Sequence, residues 1–390
     1  MAIKKRTSYK KYSRQKLSEV DGDLKLGKGA VIIAKNKTIV VNGRIKNKGG
    51  FKCKGNLEVR SIRSDKGSVK ILGDLKVEKE IDVDKSLIVK GKVIAEEIRA
   101  GITVKVAKGT TADSVKAGVQ AILNGENKIE SVKTGTRTVL HGKHTIGSIK
   151  TGTKAKLYGI LDIEDVNSGT RIFAEQGKIT SVNAGLSVIT VGNVEIERAN
   201  AGFSIKMNAG NVKNGNAGFS IKSKKRLSFD SLSAGFNVKL KQGGSGEKVS
   251  AGFSVKSGSD LELTESIKAG FSCIARGNLL TKDLSVGKKI IGHFIKANSI
   301  RVAKRGILRG IVQAQTVTLS EKARARNLYV DELVMYEKSR ARNVFARSII
   351  IEDYAVLCGK VEYTEAIDAE EKAKIRAKPK KVESLPLPKI

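Results

Sequence analysis

The segment Ala201–Lys206 reads Ala-Gly-Phe-Ser-Ile-Lys. Its alternation of apolar and polar letters predicts a short β-strand with Phe203 and Ile205 on one face and Ser204 and Lys206 on the other. The pattern returns at Asn216–Lys222, Ser233–Lys239, Ser250–Lys256 and Lys268–Ile274. Each copy is either a separate binding site or one turn of a repeating backbone, and the spacing decides. Gly202, Gly218, Gly235, Gly252 and Gly270 fall at intervals of 16, 17, 17 and 18. Gly101, Gly118, Gly135, Gly152, Gly169 and Gly185 precede them at intervals of 16 or 17. Eleven glycines in near-register mark a solenoid.

A repeat of 16–18 residues fits one coil of three short strands joined by tight corners, with Gly at a corner because it tolerates positive φ. The expected fold is all-β: a β-solenoid, of the right-handed triangular β-helix type, with roughly 20 coils between about Asp21 and Tyr363. Like residues then stack coil on coil. Phe203, Phe219, Phe236, Phe253 and Phe271 are expected as an aromatic column in the core. Ile205, Ile221, Val238, Val255 and Cys273 are expected as an aliphatic column beside it. Lys206, Lys222, Lys239 and Lys256 form a basic column on the outer face. Helical repeats need about 30 or more residues and a 3.6 periodicity, and the leucine-rich frame is missing.

The most regular stretch is about 100–275, inside a body of 17–363. Near its end, "ARARN" (323–327) and "RARN" (340–343) place Asn327 and Asn343 16 apart, so the period survives there. Residues 1–16 are expected as a disordered basic tail. The Ala/Glu/Lys-rich 364–378 is expected as a short helix, followed by a basic Pro-containing tail to 390.

Composition sharpens this picture. The 390 residues include 40 Gly and 3 Pro, and Pro379, Pro386 and Pro388 are the only prolines. A body in which nearly every N–H joins a sheet ladder has little use for a residue that lacks one. Tryptophan is absent and aromatics are 4%, so Ile, Val and Leu must supply most of the core. Cys53, Cys273 and Cys358 are too far apart for a C-x-x-C pair. The N-terminus has no apolar signal region and no run of 18 apolar residues occurs, which together predict a cytoplasmic protein.

Net charge changes the functional reading. The chain carries +35, of which 1–16 supply +7 and 372–390 supply +6, leaving +22 on the body. Lys4, Lys5, Arg6, Lys10, Lys11, Arg14 and Lys16 are the candidates for attachment to an anionic surface such as a membrane. The lysine column either tracks a polyanion such as nucleic acid or is a solvated face; charges ~5 Å apart in water repel by only about 0.8 kcal/mol. "HGKH" places His141 and His144 three apart, read as a solvent-facing corner rather than a metal site. Cys273 is read as a small buried hydrophobe. No phosphate-binding loop or nucleophile elbow is found, and uniform coils leave no long loops to build a carboxylate cleft. The expectation is a non-enzyme with no cofactor, no metal and no small-molecule substrate.

The flanks carry a resemblance. "GDLKVEKEIDV" (73–83), "SLIVKGKVIAEEIRA" (86–100), "GILRGIVQAQTVTL" (306–319) and "SIIIEDYAVLCGKV" (348–361) read like windings of a bactofilin. The resemblance implies a right-handed β-helix that polymerises end to end into cytoskeletal filaments without nucleotide, often at the inner membrane face. It also implies a polymerising end at the last winding. There Tyr354, Ala355, Leu357 and Gly359 align with the family's pattern, and Leu357 stands where an aromatic is usual. The rod is longer and more basic than is typical of that family. The resulting expectation is a self-assembling structural protein. The alternative is a scaffold that binds nucleic acid or another polyanion along its basic flank, without sequence preference.

Overall fold

The computed structural model describes residues 6–388. The chain divides into two units, one ending at Ile196 and one beginning at Glu197. Both are built of β-strands, and no helix occurs among the described residues. Parallel strands stack into a β-solenoid of about 22 turns.

In the first unit, Gln120–Thr134, Arg137–Thr151, Lys154–Ser168 and Arg171–Ala184 lie one above another. Gln120 pairs with Arg137, Arg137 with Lys154 and Lys154 with Arg171, all parallel. Each turn is three-sided. In the turn that starts at Gln120 the buried pairs are Ala121/Leu123, Asn127/Ile129 and Val132/Thr134. Alternation within each side puts two residues inward, and burying an Ile, Val or Leu there stabilises by about 1.5–3 kcal/mol. The second unit repeats the plan. Ile205, Ile221, Val238, Val255 and Cys273 stand in one parallel register and are buried completely.

The corner glycines are needed for a different reason from the expected one. Gly118, Gly135, Gly218 and Gly235 do not adopt left-handed φ. Instead the corner carbonyl of one turn points at the glycine of the next. A Cβ on Gly135 would lie 2.0 Å from the Gly118 oxygen, and one on Gly235 would lie 2.1 Å from the Gly218 oxygen.

Both termini are more ordered than expected. Arg6–Tyr9 pairs with Asp23–Leu26, and Arg14–Leu17 with the start of Ala30–Lys48, so 6–17 form a turn rather than a disordered tail. The stretch 364–378 is not a helix. Val361–Ala369 pairs with Arg340–Ile351, and Lys374–Ile375 pairs with Val356–Leu357. The alternation in "VEYTEAIDA" and the stacking of Ile367 on Ile349 override its helix-favouring composition. The winding Ser348–Val361 is therefore not the last.

Candidate functional site

Two columns of the second unit stand where the sequence puts them. Lys206 pairs with Lys222, Lys222 with Lys239 and Lys239 with Lys256, and all four are exposed. The column stops at Ile274, which pairs with Lys256. Cys273 is fully buried, and its burial pushes the thiol up to about 12.

The phenylalanines are the main correction. Phe203, Phe219, Phe236, Phe253 and Phe271 are on the surface, 37–53% exposed. Alternation fails at the corner: Gly218 and Phe219 both face out, and Ser220 and Ile221 are both buried. The rings still stack, with centroids 4.9, 5.0, 4.8 and 4.8 Å apart and planes within 15° of parallel. The corner backbone sets this spacing, since the Phe236 N–H donates to the Phe219 oxygen at 2.9 Å and the Phe253 N–H to the Phe236 oxygen at 2.9 Å. Within the stack the ring faces thus cover one another, so Phe219, Phe236 and Phe253 present ring edges to solvent. Lys288 Nζ lies 5.5 Å from the Phe271 centroid and covers that end of the stack. No Asp or Glu occurs in 215–223, 232–240, 249–257 or 267–275, the strands that flank these corners. The result is an apolar ridge beside a lysine column.

In three consecutive turns of the first unit the equivalent corner is polar, whereas Ile102, Val119 and Leu186 make it apolar in the turns around them. Thr136 and Thr153 are exposed, and Arg137, Lys154 and Arg171 stack directly after the threonines. Burial and the charges of Lys156, Arg171 and Arg137 lower the Lys154 pKa. Behind the corner, Thr134 Oγ1 donates to Thr151 Oγ1 at 2.9 Å, and Thr151 Oγ1 donates to the Thr136 oxygen at 2.9 Å.

The His141/His144 reading is half right. His141 is exposed and stacks on Tyr158 at 4.7 Å. His144 instead is fully buried, because the corner at Gly142 (φ 125°) returns the chain to the interior. Its Nδ1 lies 2.9 Å from Asn127 Nδ2, so Nδ1 accepts. Nε2 and Asn127 Oδ1 have no partner among the described residues. Burial, with a smaller contribution from His141, lowers the His144 pKa to about 4. No group of three or more His, Cys, Asp or Glu that could hold a metal exists among the described residues.

Leu357 cannot act as an exposed assembly residue. It is fully buried, between Ala341 and Ile375 of adjacent turns. Tyr354 is 45% exposed at a left-handed corner (φ 59°), with Lys338 and Lys372 Nζ each 5.5 Å from its ring centroid. Open apolar positions occur one turn later, where the inward-stacking Ile367 and Ile375 are only half-buried. At the N-terminus, Lys10, Lys11, Arg14 and Lys16 are exposed on the first turn. Arg6 lies in the strand Arg6–Tyr9, and Lys4 and Lys5 lie outside the described residues.

One cluster escaped the sequence reading. Arg309, Arg324, Arg326, Arg340 and Arg342 line a single shallow groove with Cys358. Its signal is the Arg-Ala-Arg alternation in "ARARN" and "RARN", which carries this placement as well as the period.

Among the described residues, no helix is long and apolar enough to cross a membrane. No protein-family model matches the chain, and neither a curated protein nor a solved structure matches it.

Proposed function

We propose that this is a structural protein that assembles end to end into filaments without nucleotide, as the bactofilin-like windings suggest. One observation supports this reading above the others. The last complete turn carries Ile367 and Ile375 in core register yet half-open, with only Lys380–Lys381 stacked beyond it on Glu362–Tyr363, while Ile349 and Leu357 above them are fully buried. A turn from a second copy stacked there would complete their burial and pair the free strand edges. Filaments of the full chain in negative-stain electron microscopy, in buffer without nucleotide, are the expected outcome. Ile367→Lys/Ile375→Lys should abolish them while circular dichroism keeps its β signature. Long filaments from that variant would overturn the C-terminal turn as an assembly surface. Leu357→Arg is unsuited to this test because it would bury a charge.

The side of the second unit supports attachment to an anionic membrane surface. The Phe ridge offers ring edges to the headgroup region, and the adjacent lysines meet lipid phosphates. The basic N-terminal turn adds charge for the same role. Co-sedimentation with anionic vesicles should weaken with salt and should fall when Phe219, Phe236 and Phe253 are replaced by Ser. Binding that ignores those replacements would remove the ridge from the reading. The lysine column also supports a second reading, nonspecific nucleic-acid binding. That reading lacks a stacking platform, because the Phe faces are occupied by one another. Rods that assemble only on added DNA or RNA would favour it over filaments.

A further inference from the structure

We propose that the arginine cluster of the second unit is a binding site for consecutive phosphate groups, separate from the lysine column and independent of filament assembly. Arg324 and Arg340 pair directly across adjacent turns, as do Ala325 with Ala341 and Asn327 with Asn343. Arg326 and Arg342 stand between the latter two pairs. The alanines point inward and are buried, so both arginines of each Arg-Ala-Arg triplet point outward. Arg309 completes the lining one turn earlier. The sheet therefore fixes a grid of arginine backbone positions, ~4.8 Å apart between turns and ~7 Å apart along a strand, from which the guanidiniums reach outward. They border a groove of about 280 Å³.

The charge of this grid is not neutralised by the protein. Among the described residues, none of the five guanidiniums meets a carboxylate within ion-pair distance. Arg347 of the same strand does, with Glu365 at 3.5 Å, so unpaired arginine is not general here. Groove lining, outward alternation and missing counter-charge all point to an anion supplied from outside. The chemistry favours phosphate. A guanidinium presents a planar fork that binds two oxygens of one tetrahedral oxyanion, and adjacent forks serve successive phosphates of a chain.

Cys358 supplies a readout. It lines the groove, and its N–H donates to the Ala341 oxygen at 2.8 Å. It is exposed, whereas Cys53 and Cys273 are buried with thiols pushed up to about 12. Alkylation of the full chain by an uncharged maleimide will therefore mark Cys358. At low salt, inorganic tripolyphosphate should slow that reaction several-fold. Arg326→Gln/Arg342→Gln, both at exposed positions, should remove the protection with the β spectrum unchanged. Lys222→Gln/Lys239→Gln should retain it. A single-stranded oligonucleotide tested alongside separates the sources of phosphate: protection by it as well assigns the site to a nucleic-acid backbone, and protection by tripolyphosphate alone assigns it to free oligophosphate. Equal alkylation rates with and without either probe would overturn the proposal. So would equal protection by polyglutamate, which carries charge without phosphate.

Discussion

The corners of the two units share a glycine, and three consecutive corners of the first unit differ from the phenylalanine corners of the second on both sides of it. Three consecutive corners of the first unit read Thr134-Gly135-Thr136, Thr151-Gly152-Thr153 and Ser168-Gly169-Thr170, between Ala117-Gly118-Val119 on one side and Ala184-Gly185-Leu186 on the other. In the second unit the corner reads Ala217-Gly218-Phe219, Ala234-Gly235-Phe236, Ala251-Gly252-Phe253 and Ala269-Gly270-Phe271. The glycine is fixed because the corner carbonyl of one turn leaves no room for a Cβ on the next. The residue before it faces inward, and small hydroxyl or methyl groups both fit. The residue after it faces outward and carries the surface chemistry: a hydroxyl at Thr136, Thr153 and Thr170, with a cation directly after each, and an apolar side chain at Ile102, Val119 and Leu186 and at the five phenylalanines. One backbone device thus carries two unlike surfaces, and the strand ladder permits this because it does not depend on the outward side chain.

The glycine should show the largest effect, and the same effect in both units. Gly135→Val and Gly235→Val each force the corner carbonyl and the new side chain apart, at a cost of about 4 kcal/mol or more. Thermal unfolding should show a large loss for either variant. A variant that melts with the parent would show that the two corners are not built alike.

Acid should separate the units next. The folded-state pKa of His144, about 4, is depressed below the unfolded value of roughly 6.5. The unfolded chain therefore binds the proton first as pH falls. Stability from neutral His144 is fully present above pH ~6.5 and declines toward pH ~4, by on the order of 3 kcal/mol. The second unit buries no histidine among its described residues, since His293 is exposed. Denaturant unfolding at pH 7 and pH 4.5 should show this loss for the native chain. His144→Leu, which copies the stacked Leu161 of the next turn, should flatten it. An unchanged pH slope in that variant would mean that other groups carry the acid response.

Much of this architecture was legible. Periodic glycines and alternating strands gave the solenoid, its register and the buried Ile205–Cys273 column, because identical letters at one-turn spacing must stack. The aromatic column was legible as a column but not as a surface. At the corner two successive residues face out and the next two face in, so period-two reasoning across Gly218–Ile221 assigns Phe219 to the wrong side. At Gly142 three successive residues, His141, Gly142 and Lys143, face out, which hid the inward turn of His144. The strand Val361–Ala369 was masked by Ala and Glu, whose helix preference is weaker than pairing on an existing sheet edge. The arginine grid needed knowledge of which residues of neighbouring turns share a groove.

The hydroxyls behind the first unit's corner should contribute less than His144. Thr151→Val keeps the shape but removes the bond to the Thr136 oxygen and the acceptor for Thr134. A loss of about 1–2 kcal/mol in denaturant unfolding is expected. The alanines at this position in the second unit have no such bond to lose. A loss near zero in Thr151→Val would make the inward residue as interchangeable as the outward one.

The smallest effect is expected at the phenylalanines. Phe219 and Ile221 lie in the same turn, two residues apart, one 40% exposed and the other fully buried. Ile221→Ala opens a cavity in the core and should cost about 2–5 kcal/mol. Phe219→Ala loses two ring contacts, at 4.9 and 5.0 Å, from a surface ladder. Such contacts are worth about 0.5–1.5 kcal/mol each beyond area, and solvent takes the place of part of what is lost, so a net cost near 1 kcal/mol is expected. Urea titrations of both variants read the difference directly. If Phe219→Ala costs as much as Ile221→Ala, the ring is acting as core and the corner does not turn it outward. If it costs little, the ladder persists for what it offers outside, and vesicle binding by that variant then reports the energy the ridge gives to a surface rather than to the fold.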